Sequence, residues 1–521
     1  MTKRTQFRRT QLQFHQRSAK NAVPRRTQFQ EGTGRSVLIS FLIAFLLMAH
    51  AHADPDASCG ATLTPTMPEG AVEIPAAPGA LAAAIVSHGP NTAFFLRAGV
   101  HAGNAEMRPK TGAVIVGEAG AILDGENTAK HCFLHDPGVI PYAIPAPRYV
   151  VALRNLVIRN YAPPDQECAV MAESTGLGWN RALSDPGDGN GWLIDHCTFA
   201  SNRAGGLFLG SASTARNCLA SANGQVGFKA TGRNAQLLDC RSTGNNPDRQ
   251  FNYFVEAGGV KCWNAKDLLI EGGEYDHNGG FGVWTDYAWD GIVIRNARFH
   301  DNLRAGISIE MTVGAEIARC EFSHNDTDGM AGRIPPAFRP WDKSPASGPD
   351  LWTGEVFLFD ACASGTLANR DAQAAQTFTG KTWIHNNRIA NGGGGIIILY
   401  QDRGSVAPFA QMQGNKEGPI AGLGGIVIEE NDIDCAGYAG AVNILVNRDY
   451  ADAGGSWGPI PAAQAKKEFE APIHRHNRYS GNARFCVPKA AIRGGGDNVW
   501  DWNDRADVDL AQWREVGKDR R

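Results

Sequence analysis

Three ionisable residues, Lys261, Asp286 and Glu310, follow the same kind of local signal. Each lies two or four residues after a glycine that opens a short, mostly apolar segment. Two carboxylates held side by side raise each other's proton affinity, so one can act as a general acid while the other stays ionised. Cleavage of a glycosidic bond requires this division of labour. Asp286 and Glu310 are therefore predicted to be a catalytic pair.

Four further residues, Lys229, Trp263, Trp284 and Tyr287, are predicted to bind substrate. Lys229 lies two residues after its own glycine, and the two tryptophans follow theirs by four and two residues. We expect both indoles on an outer face, where an exposed ring is unfavourable unless it stacks on a ligand such as a sugar.

The same residues admit other roles. Lys261 could remove a proton beside a uronate carboxylate, which would make the protein a polysaccharide lyase or epimerase. Asp286 and Glu310 could instead pair with Lys261 or Lys229 in a surface charge ladder, or bind Ca²⁺ through their oxygens. Ca²⁺ is the one cofactor that the sequence suggests, and in the lyase or epimerase interpretation the two carboxylates would hold it.

A period of about 22 residues organises the region that carries these residues. Six segments end in asparagine, at intervals of 21, 22, 33, 24 and 23 residues. The asparagines are Asn202, Asn223, Asn245, Asn278, Asn302 and Asn325. The period is too short for helical repeats or propeller blades. Because each copy holds short apolar strands separated by turns, the pattern predicts the coils of a β-solenoid.

The solenoid places the candidate residues in columns. Alternation within each strand points the first and third residues after the glycine into the core, and the second and fourth outward. Coils stack about 4.8 Å apart, so equivalent residues align along the solenoid. Asp286 and Glu310 are then expected in one column, with Cβ atoms about 5 Å apart. Lys261 is expected one coil before Asp286, and the whole set is expected on an exposed sheet.

The chain has 11 cysteines. Four of them recur at one position of the repeat, where other copies carry Gly272, Asn296 and Asn387; they are Cys197, Cys218, Cys240 and Cys320. We expect a buried column of small side chains there, without disulfide bonds.

These features resemble the right-handed parallel β-helix proteins of the pectate-lyase-like superfamily. The similarity covers most of residues 75–500. It includes a capping helix at 80–86, apolar strands at 94–100 and 114–117, and the runs 258–263, 282–286 and 306–310 with their Lys, Trp-x-Asp and Glu series. The resemblance implies an all-β, right-handed parallel β-helix with an N-terminal capping helix and long loop insertions. Residues 499–521 are expected to cap its C-terminal end.

Insertions in the repeat are expected to form the walls of a groove. Extra residues at 246–254 precede the strand of Lys261, and longer insertions follow later strands at about 326–381, 401–424 and 449–472. A strand floor with loop walls makes a binding groove.

The first 53 residues predict export. They carry nine Lys or Arg and one acid, then an apolar run at 36–49 and the small-x-small sequence Ala51-His52-Ala53. This arrangement is typical of a cleaved signal peptide, leaving 54–521 as one domain that is secreted or periplasmic and not inserted in a membrane. The remainder holds 50 − 9 = 41 basic and 53 − 1 = 52 acidic residues, a net charge of −11. That charge disfavours nucleic acid as a partner.

Three histidines lie near the ends of coils. His277, His300 and His324 precede their asparagines by one, two and one residues. They are interpreted as turn residues, with metal ligation as the alternative.

The leading hypothesis is an exported carbohydrate-active enzyme that cleaves a polysaccharide as a glycoside hydrolase. Asp286 and Glu310 would supply acid and base or nucleophile, and Lys261 would orient a substrate oxygen. A lyase or epimerase acting on uronates is the second hypothesis. A non-catalytic glycan-binding or surface-structural β-helix is the third.

Overall fold

Short apolar strands separated by tight turns wind into coils, three strands to a complete coil. The computed structural model describes residues 59–135, 150–172, 191–251, 256–286, 288–310, 312–326, 354–359, 364–367, 376–379, 381–390, 394–400, 423–434, 442–446, 462–481, 483, 485–492 and 505–519. All of these residues lie within the unit Asp54–Arg521.

The strands stack into three long sheets, which we number by the order of strands in one coil. Sheet 1 holds Phe133–Leu134, Cys168–Met171, Gly205–Leu209, Val226–Arg233, Gly258–Lys266, Phe281–Asp286, Ile307–Glu310, Val356–Phe359, Ile396–Tyr400, Val442–Val446 and Phe485–Pro488. Sheet 2 holds Val72–Ile74, Ala93–Leu96, Ala113–Gly117, Val151–Arg154, Trp192–Asp195, Thr214–Arg216, Gln236–Leu238, Leu269–Glu271, Trp289–Arg295, Val313–Ala318, Thr382–His385, Ile426–Glu429 and Ile473–Arg475. Sheet 3 holds Gly99–His101, Ala121–Asp124, Val157–Arg159, Thr198–Ala200, Leu219–Ser221, Arg241–Thr243, Glu274–Asp276, Arg298–His300, Glu321–Ser323, Arg388–Ala390, Asp432–Asp434 and Arg478–Ser480.

Pairing within the three sheets is parallel, which confirms the predicted parallel β-helix. Two pairings are antiparallel. Ser364–Leu367 pairs with Gln376–Thr379, and Arg505–Val508 pairs with the last strand of sheet 1.

Glycines open the sheet 1 strands between residues 205 and 310 because the neighbouring coil leaves no room for a side chain. A Cβ atom on Gly282 would lie 2.5 Å from the carbonyl oxygen of Gly306 and 3.0 Å from Nδ2 of Asn302. The residues that follow alternate as predicted, and Val283 and Thr285 point inward with no exposed surface. The glycines therefore set the register from which the candidate site was read.

The repeating asparagines form a buried hydrogen-bonded ladder. From Asn202 to Asn302, each side-chain Nδ2 donates to Oδ1 of the next asparagine at 2.7–2.9 Å. Each backbone N–H in this run also donates to that oxygen. Asn325 ends the run by donating to the carboxylate of Glu355. A second run joins Asn387, Asn431 and Asn477. The ladder satisfies polar groups that the turns would otherwise bury without partners.

The cysteine column is present, and every cysteine among the described side chains is a free thiol. Cys197, Cys218 and Cys240 are fully buried. Two members of the column differ from the prediction, because Gly273 and Ala297 occupy the positions expected for Gly272 and Asn296. The backbone N–H of Arg298 donates to the carbonyl of Gly273, and that of Glu321 donates to the carbonyl of Ala297. Gly272 and Asn296 are instead the preceding turn residues, with φ of 67° and 55°.

Both ends of the solenoid carry a helix. The predicted N-terminal capping helix is confirmed as α1, Ala80–Ser87, which buries Leu81 and Ile85. Helix α2, Ala462–Glu470, lies in a later insertion, a 3₁₀ turn follows at Lys489–Ala491, and α3, Leu510–Glu515, follows the last strand. Trp513 of α3 is fully buried and stacks on Phe485 with ring centroids 4.7 Å apart. Trp500 and Trp502, also expected in the cap, lie outside the described residues.

Across the described residues, no helix has both the length and the apolar character needed to cross a bilayer.

Candidate active site on the outer face of sheet 1

The predicted register of the site is confirmed. Lys229 pairs with Lys261, Lys261 with Trp284, and Trp284 with Ser308, so these residues form one outward column. A second column holds Trp263, Asp286 and Glu310 on three successive coils. A register shift between Ala230 and Gly232 separates Trp263 from a regular partner in the preceding strand. Tyr287 lies outside the described residues.

The prediction that this face is exposed is wrong. Lys261, Trp284 and Glu310 are only 4%, 3% and 9% exposed, and Lys229 is buried as well. Asp286 and Trp263 are half-buried. The side chains are long relative to the spacing between coils, so each one lies across its neighbour instead of projecting into solvent. The site is therefore a desolvated polar cluster, in which each charged group needs a specific partner.

Lys261 and Asp286 form an ion pair across adjacent coils. Nζ of Lys261 donates to Oδ2 of Asp286 at 3.0 Å, and the side chains are 5% and 17% exposed. The other carboxylate oxygen, Oδ1, is buried and has no hydrogen-bond partner among the described residues. A buried acceptor without a donor is uncommon in folded proteins and needs a specific explanation. A hydroxyl group of a bound ligand would supply the missing donor.

Trp284 and Glu310 form the equivalent contact one coil further on. Nε1 of Trp284 donates to Oε2 of Glu310 at 2.9 Å. Nζ of Lys261 lies 3.0 Å from the centroid of the same indole, a cation–π contact. Phe281 packs at 5.6 Å from the indole. The expectation of an exposed Trp284 ring that stacks a sugar is therefore wrong, because the ring is enclosed by the site and orients Glu310. Trp263, the other tryptophan predicted to bind substrate, is half-buried.

Lys229 is held by a residue that sequence reasoning missed. Its Nζ donates to the backbone carbonyl of Gln166 at 2.9 Å and to the side-chain oxygen of Gln166 at 3.0 Å. Burial lowers the pKa of Lys229, partly offset by the nearby acidic groups. Gln166 precedes the sheet 1 strand that begins at Cys168 and carries no periodic signal, so only the structure links it to the site.

The cation position beside Asp286 is taken by Lys261, which leaves little electrostatic reason for a Ca²⁺ ion at that oxygen. Among the described residues, the imidazoles and carboxylates that converge closely enough to hold a metal ion lie on sheet 3.

The family model that matches this chain is a right-handed β-helix region, over residues 187–332. Together with the parallel three-sheet coils, this match identifies the fold as a right-handed parallel β-helix. No curated protein sequence matches the chain.

Solved structures with similar coils come from several proteins. The A-module of mannuronan C-5 epimerase AlgE4 from Azotobacter vinelandii is 16% identical, with 82% of this chain and 99% of that chain covered and a TM-score of 0.41. The AlgE6 A-module of the same organism is 13% identical, with coverages of 82% and 97% and a TM-score of 0.36. DFA-IIIase from Arthrobacter chlorophenolicus A6 is 12% identical, with coverages of 71% and 80% and a TM-score of 0.32. None of these likenesses identifies a reaction for this chain.

Proposed function

We propose that this chain is an exported carbohydrate-active enzyme that cleaves a polysaccharide by glycoside hydrolase chemistry on the outer face of sheet 1. The observation that carries the proposal is the buried Oδ1 of Asp286, an acceptor for which the described residues supply no donor, beside a second carboxylate in the same column. A hydroxyl group of a bound glycan is the natural donor to that oxygen.

The two carboxylates take different roles because their partners differ. Asp286 is paired with an ammonium group and is assigned as nucleophile or base. Glu310 accepts a hydrogen bond from a neutral indole and is assigned as general acid.

Lys261 and Lys229 give a specific reason to keep a second candidate. Two ammonium groups lie on adjacent coils within the site, and such groups suit a substrate that carries carboxylates. This favours uronate-containing polysaccharides and keeps a lyase or epimerase as the alternative reaction. In that mechanism Lys261 must first release its proton, because an ammonium group that donates to Asp286 has no lone pair with which to act as a base.

The test is product analysis on a panel of neutral and uronic-acid polysaccharides, by mass spectrometry. We expect products heavier by one water per broken bond, and their loss in Glu310→Gln. The matched control is Glu271→Gln, which removes a carboxylate paired with Arg295 on sheet 2. Unsaturated products would support the lyase. Oligosaccharide binding without bond cleavage would support a non-catalytic glycan-binding protein.

Export is part of the same proposal. Cleavage after Ala53 would leave Asp54 as the new N-terminus. N-terminal sequencing of the protein recovered outside the cytoplasm tests this, and an uncleaved N-terminus on cytoplasmic protein would contradict it.

A further inference from the structure

Two histidines and an aspartate meet at the edge of sheet 3. His277 follows the strand Glu274–Asp276, and His300 ends the next strand, with Asp301 directly after it. Asp276 pairs with His300 in parallel register, so His277 and Asp301 occupy the same turn position on adjacent coils. One ligand atom from each of His277, His300 and Asp301 lies within 4.8 Å of the others.

A buried carboxylate holds one nitrogen of each imidazole. Nδ1 of His277 is 2.7 Å from Asp276, and Nε2 of His300 is 2.8 Å from Glu274. Asp276 and Glu274 are 1% and 5% exposed. The other nitrogen of each ring faces the same oxygen: Nε2 of His277 is 4.0 Å and Nδ1 of His300 is 2.7 Å from Oδ2 of Asp301. Carboxylates that fix the far nitrogen of a ligating histidine are a regular feature of metal sites.

The spacing fits a small ion. Two ligands that each lie about 2.0–2.1 Å from a tetrahedral ion are about 3.3–3.4 Å apart. The observed 2.7 and 4.0 Å fall on either side of this value, so small side-chain rotations would bring both nitrogens to the required distance. His277 and Asp301 are 62% and 40% exposed, which leaves a path from solvent.

The charge around the cluster is also suitable. Arg241 lies 3.2 Å from Asp276, and Arg298 lies 3.5 Å from Glu274. Burial would raise the pKa of Asp276, but the hydrogen bonds from Arg241 and His277 outweigh it and the pKa is lowered. The two arginines balance the carboxylates that hold the histidines.

We propose that His277, His300 and Asp301 bind one Zn²⁺ ion, or another transition-metal ion that prefers imidazole and carboxylate ligands, at the edge of sheet 3. Asp276 and Glu274 orient the two imidazoles. The site lies on a different sheet from Lys261, Asp286 and Glu310, and it does not depend on the proposed carbohydrate chemistry.

The test is calorimetric titration of the metal-free full chain with ZnCl₂ at pH 8, with Co²⁺ absorption as a second readout. We expect one ion per chain, and a loss of affinity of about tenfold or more in His277→Gln. The matched control is His196→Gln, since His196 also pairs with a buried aspartate, Asp195, at a turn. His196→Gln should bind Zn²⁺ as the unmodified chain does.

His277 is largely exposed, so its replacement should leave the fold intact, and the melting temperature of the metal-free variant checks this. Zn²⁺ should raise the melting temperature of the unmodified chain and of His196→Gln, but not that of His277→Gln. Absence of binding to the unmodified chain would overturn the proposal. Binding that is equally strong in His277→Gln would overturn it too, because the ion would then lie elsewhere.

Discussion

The ion pair between Lys261 and Asp286 allows a quantitative test of the site. Lys261→Met removes the ammonium group and keeps a chain of similar length, so the main change is loss of the partner of Asp286. At an effective dielectric constant of about 20, charges 3.0 Å apart attract by about 5–6 kcal/mol. Most of that attraction compensates for the cost of burying the two charges, and removal of one partner of a buried pair typically costs about 3–5 kcal/mol.

The side chain of Asp286 is 17% exposed to solvent, so water can partly replace the lost ammonium group. We therefore expect Lys261→Met to lower the free energy of unfolding by about 3 kcal/mol, at the lower end of that range. Adding Asp286→Asn should recover most of the loss, because the double variant no longer buries an unpaired charge.

The assay is a double-mutant cycle from denaturant or thermal unfolding at neutral pH. The double variant should be more stable than the sum of the two single effects predicts for independent sites, with a coupling free energy of about 1–3 kcal/mol. Additive effects, with no coupling, would refute the claim that the two groups form a buried pair. The matched control is Arg478→Met with Asp432→Asn, an exposed pair at 3.2 Å on sheet 3, for which we expect a coupling below about 1 kcal/mol.

Three further predictions concern the solenoid. Burial raises the pKa of Glu355 to about 8, so between about pH 4.5 and 8 the folded chain holds a proton that the unfolded chain has lost. The free energy of unfolding should therefore fall as the pH rises through that range, by at most about 5 kcal/mol. Melting temperatures measured against pH should show a smaller fall in Glu355→Gln. Asn278→Ala breaks four side-chain hydrogen bonds, three of them in the ladder, and should cost about 3–5 kcal/mol by denaturant unfolding. Asn296→Gly, at an exposed turn, should cost less than about 1 kcal/mol, and equal losses would contradict the ladder's role. Alkylation without reductant should leave Cys218 unmodified in the folded chain, since burial raises the pKa of its thiol. After unfolding, the same reagent should modify Cys218 fully. A thiol that resists alkylation after unfolding would indicate a disulfide.

The fold was readable from sequence because its constraints recur in successive coils between Asn202 and Asn325. Gly282 and Asn302 are required together, since the asparagine side chain occupies the space that a Cβ on the glycine would need. A repeat with such a contact fixes both the period and the strand register. The error at Gly272 and Asn296 arose where the turn residue and the column residue are both small or polar, so an alignment by residue type can slip by one position.

The columns of the site were predicted, but their contacts were not. Register assigns each residue to a coil, whereas the direction of a long side chain depends on its neighbours. Lys261 crosses to Asp286 on the next coil, and Trp284 crosses to Glu310, so the two carboxylates each have their own donor. Burial of the indole and the role of Gln166 depend on residues distant in the chain, which no local pattern encodes.

The proposed reaction is hydrolysis of a glycosidic bond by Asp286 and Glu310 on the outer face of sheet 1. The most direct measurement is the mass spectrum of products formed in ¹⁸O-labelled water by the unmodified chain, by Asp286→Asn and by the control Asp432→Asn. We expect one labelled oxygen for each cleaved linkage with the unmodified chain and the control, and no product with Asp286→Asn. Unlabelled unsaturated products, or labelled products from Asp286→Asn at the rate of the control, would contradict it.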